Sequence, residues 1–552
     1  MSNIKNNSTS FNVSSGNEKK TAGPSVTVKT ETAGKIGLFG AIGVIIGGVF
    51  GVGIFLKNNG VFKNNNGNPW GVLLSWGIIF LIAFATAFSY GEITRVRTKS
   101  ANTGLAGWSE RYVGYNFSRF LKIVYPFFYY SIDVTVMSLF FAEALYCINP
   151  AFIQPGASVP SITGQSFWWL LGIGFSLALL LVLANWISDT FVSKSLGIIS
   201  LVKFLPILIV IIFGIWGGVK TGGGLFNPTN YDPTGPYTGA FNIEGVFISL
   251  PAIMFAFDSF LIVGNVASSV KNPTRNIPLS VIISMIISGS CYILVTISQL
   301  VCGCSNPYVL FSVIFKDNET LRVTFTVIVS VLMSVAIFGI ATAKCTAGIR
   351  AAQSAINEEI IIGHRWLKKL TQNNRSKLAG GCIIFTFVVM FWYLIIGIIS
   401  AVLSTDQILD GMVNVVVLLM FTIYGFVALM SVINRKTHRV PTSEVKYQKG
   451  QVPLAIIGAV GCFIVPLYQM GYVFLYGAIT KSTAEFTAWG LFWDNQTVLP
   501  YWIVAIIFWC GVLLFISMPF LNDLFIKATN KNYKHALLWQ KVKTIDKIVI
   551  KK

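Results

Sequence analysis

The sequence predicts an all-α polytopic membrane protein with twelve transmembrane helices, and three observations carry that prediction. The chain of 552 residues is 54% apolar and only 11% charged, with a mean hydropathy of +0.69, whereas a soluble domain carries about 25% charged residues. Its apolar residues gather into runs of about twenty, the length an α-helix needs to cross roughly 30 Å of hydrocarbon. Its basic residues alternate between dense and sparse from one connection to the next, as the positive-inside rule requires. A net charge of +20 suggests nucleic acid at first sight. The cations, however, separate apolar runs too long and clean for a soluble fold, so no nucleic-acid partner is expected.

Residues 1–34 are polar, rich in Ser, Asn, Thr and Lys, and lack an apolar core, so a disordered cytoplasmic tail is expected there rather than a signal peptide. Spans 1 to 6 are read at 36–56, 71–93, 120–148, 167–188, 193–218 and 244–266, within a block at 35–266. Spans 7 to 10, at 278–302, 323–348, 380–403 and 410–433, fill 267–433, and spans 11 and 12, at 452–479 and 500–526, fill 434–526. The basic tail at 527–552 holds eight lysines that anionic lipid would attract.

Placing the N-terminus inside puts 33 of the 41 Lys and Arg in cytoplasmic tails and loops and 6 outside, with Lys203 and Lys344 left in helices. Arg95, Arg97, Lys99, Arg111, Arg119 and Lys122 follow span 2, whereas 149–166 after span 3 carries no charge. Both termini are therefore expected in the cytoplasm of a cell-membrane protein. The eight cysteines lie mostly inside apolar runs and read as small buried residues without a disulfide framework.

Enzyme chemistry finds no support. His364, His438 and His535 fall in loops or the tail, away from any helical metal-ligand spacing. No Gly-Lys phosphate loop and no arrangement of nucleophile, base and orienter is visible. The sequence implies no cofactor and no metal. A channel is disfavoured because no filter repeat or ring of polar residues occurs.

Interrupted helices are the informative feature. Span 1 reads Gly47-Gly48-Val49-Phe50-Gly51-Val52-Gly53-Ile54-Phe55, and glycines at that density release the backbone from its ladder. Span 6 reads Leu250-Pro251-Ala252-Ile253-Met254-Phe255-Ala256-Phe257-Asp258-Ser259-Phe260, with a proline and an acid near its middle. Freed backbone is tolerated in a bilayer only where it faces protein or a wet cavity. Breaks in corresponding spans point to an inverted-repeat transporter, and close helix packing is the competing account of the glycines.

Three strings then make the likeness specific: Gly51-Val52-Gly53-Ile54-Phe55, Leu201-Val202-Lys203-Phe204-Leu205-Pro206, and Phe255-Ala256-Phe257-Asp258 followed by Val270-Lys271-Asn272-Pro273-Thr274-Arg275-Asn276-Ile277-Pro278. In these the chain resembles the amino acid–polyamine–organocation permeases. The resemblance implies the leucine-transporter-like fold, with spans 1–5 and 6–10 as inverted repeats and two spans appended. It implies a secondary transporter of amino acids or related amines, by symport or exchange, or a non-transporting amino acid sensor. It places the substrate carboxylate on the amides of Gly51, Val52, Gly53 and Ile54 and its ammonium on the carbonyls of Phe255, Ala256, Phe257 and Asp258. Helix-end amides and free carbonyls suit those charges. The family often has Ser where Val52 stands, and acids where Ser268 and Ser269 stand.

The resemblance also puts Lys203 where a sodium ion sits in related carriers, which makes a proton the expected coupling ion. A lysine held permanently charged by carbonyls is the alternative. Lys344 is expected to snorkel toward the inner surface beside Arg350. Asp258 is a counter-ion to Lys203 or Lys344, a selector for a cationic substrate, or a helix cap. Asp133 could face the cavity with Tyr129 or Tyr130, of which Tyr130 is kept as a substrate contact, and Glu143 lies near the outer end. Phe260, with Phe257 as the other choice, is the expected aromatic gate. No obligate protein partner is inferred.

Overall fold

A computed structural model describes residues 36–50, 52–98, 104–146, 148, 165–221, 239–305, 307–403, 408–481 and 500–529. Among them the regular structure is helical, and a parallel bridge joins Ile36 to Val270. The helices are α1 (Leu38–Val49), α2 (Val52–Asn64), α3 (Pro69–Ile93), α4 (Gly104–Tyr112), α5 (Tyr115–Val124), α6 (Tyr130–Tyr146), α7 (Gln165–Val202), α8 (Phe204–Thr221) and α9 (Ile243–Phe257). They continue as α10 (Pro273–Cys302), α11 (Pro307–Ile314), α12 (Glu319–Asn357), α13 (His364–Gln372), α14 (Ala379–Leu403), α15 (Ile408–Thr437), α16 (Gln451–Tyr468), α17 (Gly477–Thr480) and α18 (Tyr501–Thr529).

Ten described helical segments are long and apolar enough to cross a membrane, or eleven when the bent α1 and α2 pair counts as one. This is an all-helical, multi-pass membrane protein. Of the twelve predicted spans, the fifth is represented among the described residues by a shorter apolar helix, Phe204–Lys220. The cause is local. Pro206 has no N–H to give the carbonyl of Val202, so the helix is interrupted at Lys203, between α7 and α8. An earlier break, at Ser188 (φ −156°, ψ 90°), coincides with the end of the fourth predicted span.

Burial sorts centre from rim. In the stretch Tyr115–Tyr146, which joins α5 to α6 through a π-turn over Tyr125–Tyr129, 94% of the most apolar 18-residue window is buried, and in Ile243–Ala267 89% of it is. In Ala379–Ser400 only 33% of the corresponding window is buried, and Phe387, Leu394 and Ile398 turn outward, as on a lipid-facing helix. The π-turn begins where Pro126 removes an amide from the ladder, and such turns concentrate at functional positions.

Both predicted breaks are present. After α1 the chain is extended at Phe50 (φ −88°, ψ 126°), and α2 leaves at 43° to α1. The second break lies slightly later than the sequence suggests. Phe255, Ala256 and Phe257 complete the last turn of α9, and the backbone leaves the helix at Asp258 (ψ 167°) and Ser259 (φ +69°) before a 3₁₀ segment over Ile262–Ser269. A left-handed serine is strained, and such residues persist where the surroundings fix them. Pro251 stays inside α9 without ending it.

Candidate functional site: two facing helix breaks

Gly53, at the start of α2, packs directly on α9. A Cβ built on it would lie 2.4 Å from the Cα of Ala256, closer than any side chain tolerates. The same approach brings together the ends of two helices whose last carbonyls lack helical partners. Tyr292 of α10 serves both. Its hydroxyl lies 2.8 Å from the carbonyl oxygen of Val49 and 3.0 Å from that of Ala256, so one donor bridges the two broken helices. The Asp258 amide takes the carbonyl of Phe255.

Lys203 closes the end of α1. Fully buried, its ammonium donates to the carbonyl of Gly47, one of the last in α1. Its stem lies against Gly339 of α12, where a Cβ would come within 2.7 Å of Cε. No acid pairs with Lys203 among the described residues. The cation is instead set at the negative end of a helix, where charge and dipole favour each other.

Lys344 overturns an expectation. It does not snorkel: only 2% exposed, it reaches Asp133 Oδ2 at 2.6 Å and Asp258 Oδ2 at 3.5 Å. Two acids hold the ammonium inside because burying them unpaired would cost more than ordering a lysine between them. Of the three readings of Asp258, the counter-ion to Lys344 is the one its contacts match. The same carboxylate accepts from Tyr129 at 2.5 Å, Ser259 at 3.1 Å and Tyr424 at 3.2 Å. Standing at the C-terminal end of α9, against the helix dipole, Asp258 requires these donors. Asp133 is less satisfied. Its Oδ1 is buried with no hydrogen-bond partner among the described residues.

Tyr130 receives the side-chain amide of Asn265 at 2.7 Å. Together with Tyr125, Tyr129, Ser259 and Tyr424 these residues line a narrow cleft beside the α9 break, whose free space of about 10 Å³ matches a single water. Phe260 is fully buried, edge-on to Tyr90 and Tyr424. Phe257 is also buried, against Trp76, Phe80 and Tyr292. Ile54 is buried behind Gly53, Val52 opens α2, and Gly51 lies outside the described residues. Glu143 is half-buried.

Sequence reasoning missed three participants. Tyr292 stands in a row with Ser284, Ser288 and Thr296 at four-residue spacing, a buried polar stripe on α10 that could have been read as a helix face. Tyr424 was one aromatic among many. Lys57 falls just beyond the predicted end of span 1, yet it is 3% exposed, ion-paired with Asp410 of α15, and sits 5.2 Å from the ring of Phe255 and 5.9 Å from that of Phe140. Its partner lies 353 residues away, beyond any spacing rule.

These features define a class, the multi-pass membrane protein with two discontinuous helices apposed at its centre and buried charges around the gap. Residues 36–508 match the amino acid permease family, and the chain belongs to that family, within the amino acid–polyamine–organocation superfamily, which comprises transporters and not enzymes. It is similar to amino acid transporter protein 6 of Caenorhabditis elegans, with 30% identity over 48% of this chain and 48% of that protein. It is also similar to the aspartate-proton symporter of Bacillus subtilis (29% identity, 46% and 45% covered) and to the serine/threonine exchanger SteT of the same organism (22%, 48% and 54%). The chain spans about half the length of the curated relatives it matches.

Proposed function

We propose that this protein is a secondary active transporter of amino acids that works by alternating access and couples substrate to a proton. The observation that carries the reading is the pair of apposed helix ends at Gly53 and Ala256, tied together by Tyr292. Such an arrangement offers a zwitterion its two poles. Amides opening α2, at Val52, Gly53 and Ile54, with that of Gly51 before them in sequence, suit the carboxylate, and carbonyls from Phe255 to Asp258 suit the ammonium. The carbonyls of Phe255 and Ala256 already accept one hydrogen bond each, and a carbonyl has a second lone pair for the substrate. Tyr130 borders the site and Phe260 closes over it. Twelve crossings in a five-plus-five inverted repeat, with both termini in the cytoplasm of the cell membrane, complete the proposal.

Lys203 is the proposed coupling residue. Proton loss would remove the positive charge held at the C-terminal end of α1, weaken the hydrogen bond to Gly47 and free the inner half of span 1 to move against α7, and protonation would restore the charged tie. The named symporter and exchanger among the relatives support amino acid cargo and allow either coupling. In proteoliposomes, Lys203→Ala is expected to abolish accumulation driven by a pH gradient while exchange continues. Undiminished accumulation removes Lys203 from the coupling step.

A second reading, a cationic amino acid or polyamine exchanger, is favoured by one observation. Asp133 and Asp258 face a single ammonium, that of Lys344, so the buried cluster holds one more carboxyl group than it has cations to match. A panel of labelled neutral, acidic and basic amino acids and polyamines, with and without internal counter-substrate, separates the two. Binding without flux would make the protein a sensor.

A further inference from the structure

The Lys271 to Pro278 string has no place in the transport site, yet it lies at a second cavity. The end of α3, the first turn of α10 and the connection between α15 and α16 enclose about 520 Å³, lined by Arg95, Arg97, Thr274, Arg275, Glu444 and Lys446 with Leu279. Four cations therefore converge on one cavity from three segments far apart in sequence. The positive-inside rule accounts for how many cations a loop holds but not for their convergence.

The acids nearby are already engaged. Glu444 of the wall is ion-paired with Arg111, and Glu92, which also attracts Arg95, is held by Arg435 at 2.8 Å and by the amide of Gln448 at 3.1 Å. Arg97, Arg275 and Lys446 make no ion pair among the described residues, and the Nε of Arg95 is buried without a hydrogen-bond partner. The cavity also receives the N-terminus of the 30-residue α10, whose Pro273 supplies no amide and whose Thr274 lines the wall. Arginine forks, a threonine hydroxyl and a helix N-terminus are the donors that phosphate selects.

We propose that this cavity is a binding site for a phosphate monoester group, carried by a lipid headgroup or by a soluble phosphate. Bound there, the anion clamps α3, α10 and the 438–450 connection together. It also reaches span 1, because Ile36 bonds to the strand before α10: its amide donates to Ser269 at 2.9 Å, and its carbonyl accepts from Lys271 at 2.7 Å. The site thus ties ligand occupancy to the inner end of α1.

The test is thermal unfolding of the purified full chain, followed by tryptophan fluorescence, with inorganic phosphate in detergent and with nanodiscs containing or lacking phosphatidic acid. The double variant Arg97→Gln, Arg275→Gln is compared with Arg365→Gln, Lys369→Gln, which removes the same charge from exposed positions on α13. Each lost charge-assisted hydrogen bond is worth about tenfold or more in affinity. Stabilisation by inorganic phosphate, weakened by about tenfold or more only in the first variant, establishes a soluble phosphate ligand. The same pattern seen only with phosphatidic acid establishes a lipid headgroup. Equal stabilisation by chloride at matched ionic strength, equal loss in both variants, or no stabilisation by either phosphate source overturns the proposal.

Discussion

Removing the Lys344 ammonium would leave Asp133 and Asp258 buried with one counter-charge fewer, and breaking a buried pair in that way costs about 3–5 kcal/mol. Lys344→Ala is therefore expected to lower the unfolding temperature sharply, and Asp133→Asn in the same chain to recover much of the loss. A double-mutant cycle read by thermal unfolding checks this, and additive effects would show that the two groups do not interact. Tyr292→Phe should act differently. It keeps the ring packing on Phe50 and Phe257 but removes the donor shared by Val49 and Ala256, at a cost of about 1–3 kcal/mol. Substrate affinity should fall more than stability does, which parallel titrations of binding and unfolding would reveal. At this scale the sequence showed which ionisable residues lie in helices but not who pairs with whom. Lys344 and Asp133 are 211 positions apart, and only the folded chain brings them to 2.6 Å.

Between elements, the contact of α2 with α9 is so close that even a methyl group is excluded. Gly53→Ala is expected to weaken substrate binding by about tenfold or more and Gly53→Leu to abolish it, and Ala256→Gly should not rescue either, because the obstruction is the Cα of residue 256. Unchanged affinity in these variants, measured by substrate-dependent thermal shift, would put the binding site elsewhere. The span 1 break was legible because glycines cluster there. The span 6 break was legible only approximately: the acid Asp258 marked where the chain departs, but Pro251 is absorbed by α9, Phe255 to Phe257 stay helical, and no local composition marks the left-handed Ser259. The interruption at Lys203 was foreshadowed by Pro206, but its effect on the length of the fifth span was not, because propensity says little about where a merged helix divides.

For the molecule as a whole, hydropathy and charge asymmetry identified a multi-pass helical protein, and the strings around Lys203 and Lys271 identified its family. Orientation is the part that still rests on counting cations. In a chain whose exposed Cys510 is replaced by serine, a cysteine introduced at Asp317 should react with an impermeant maleimide from outside intact cells, and one at Asn374 only after permeabilisation. Labelling of both from the same side would contradict the proposed topology.

The bridge between Ile36 and Val270 has a consequence for how the protein is made. The partners are about 230 residues apart. At a synthesis rate of roughly 5–20 residues per second, α1 is complete on the order of ten to fifty seconds before the residues that seat its N-terminal end have left the ribosome. Gly53 waits nearly as long for Ala256. The first helices must therefore remain in the bilayer during translation with their broken middle unpaired, and the cell has to shelter freed backbone in lipid until the second half arrives.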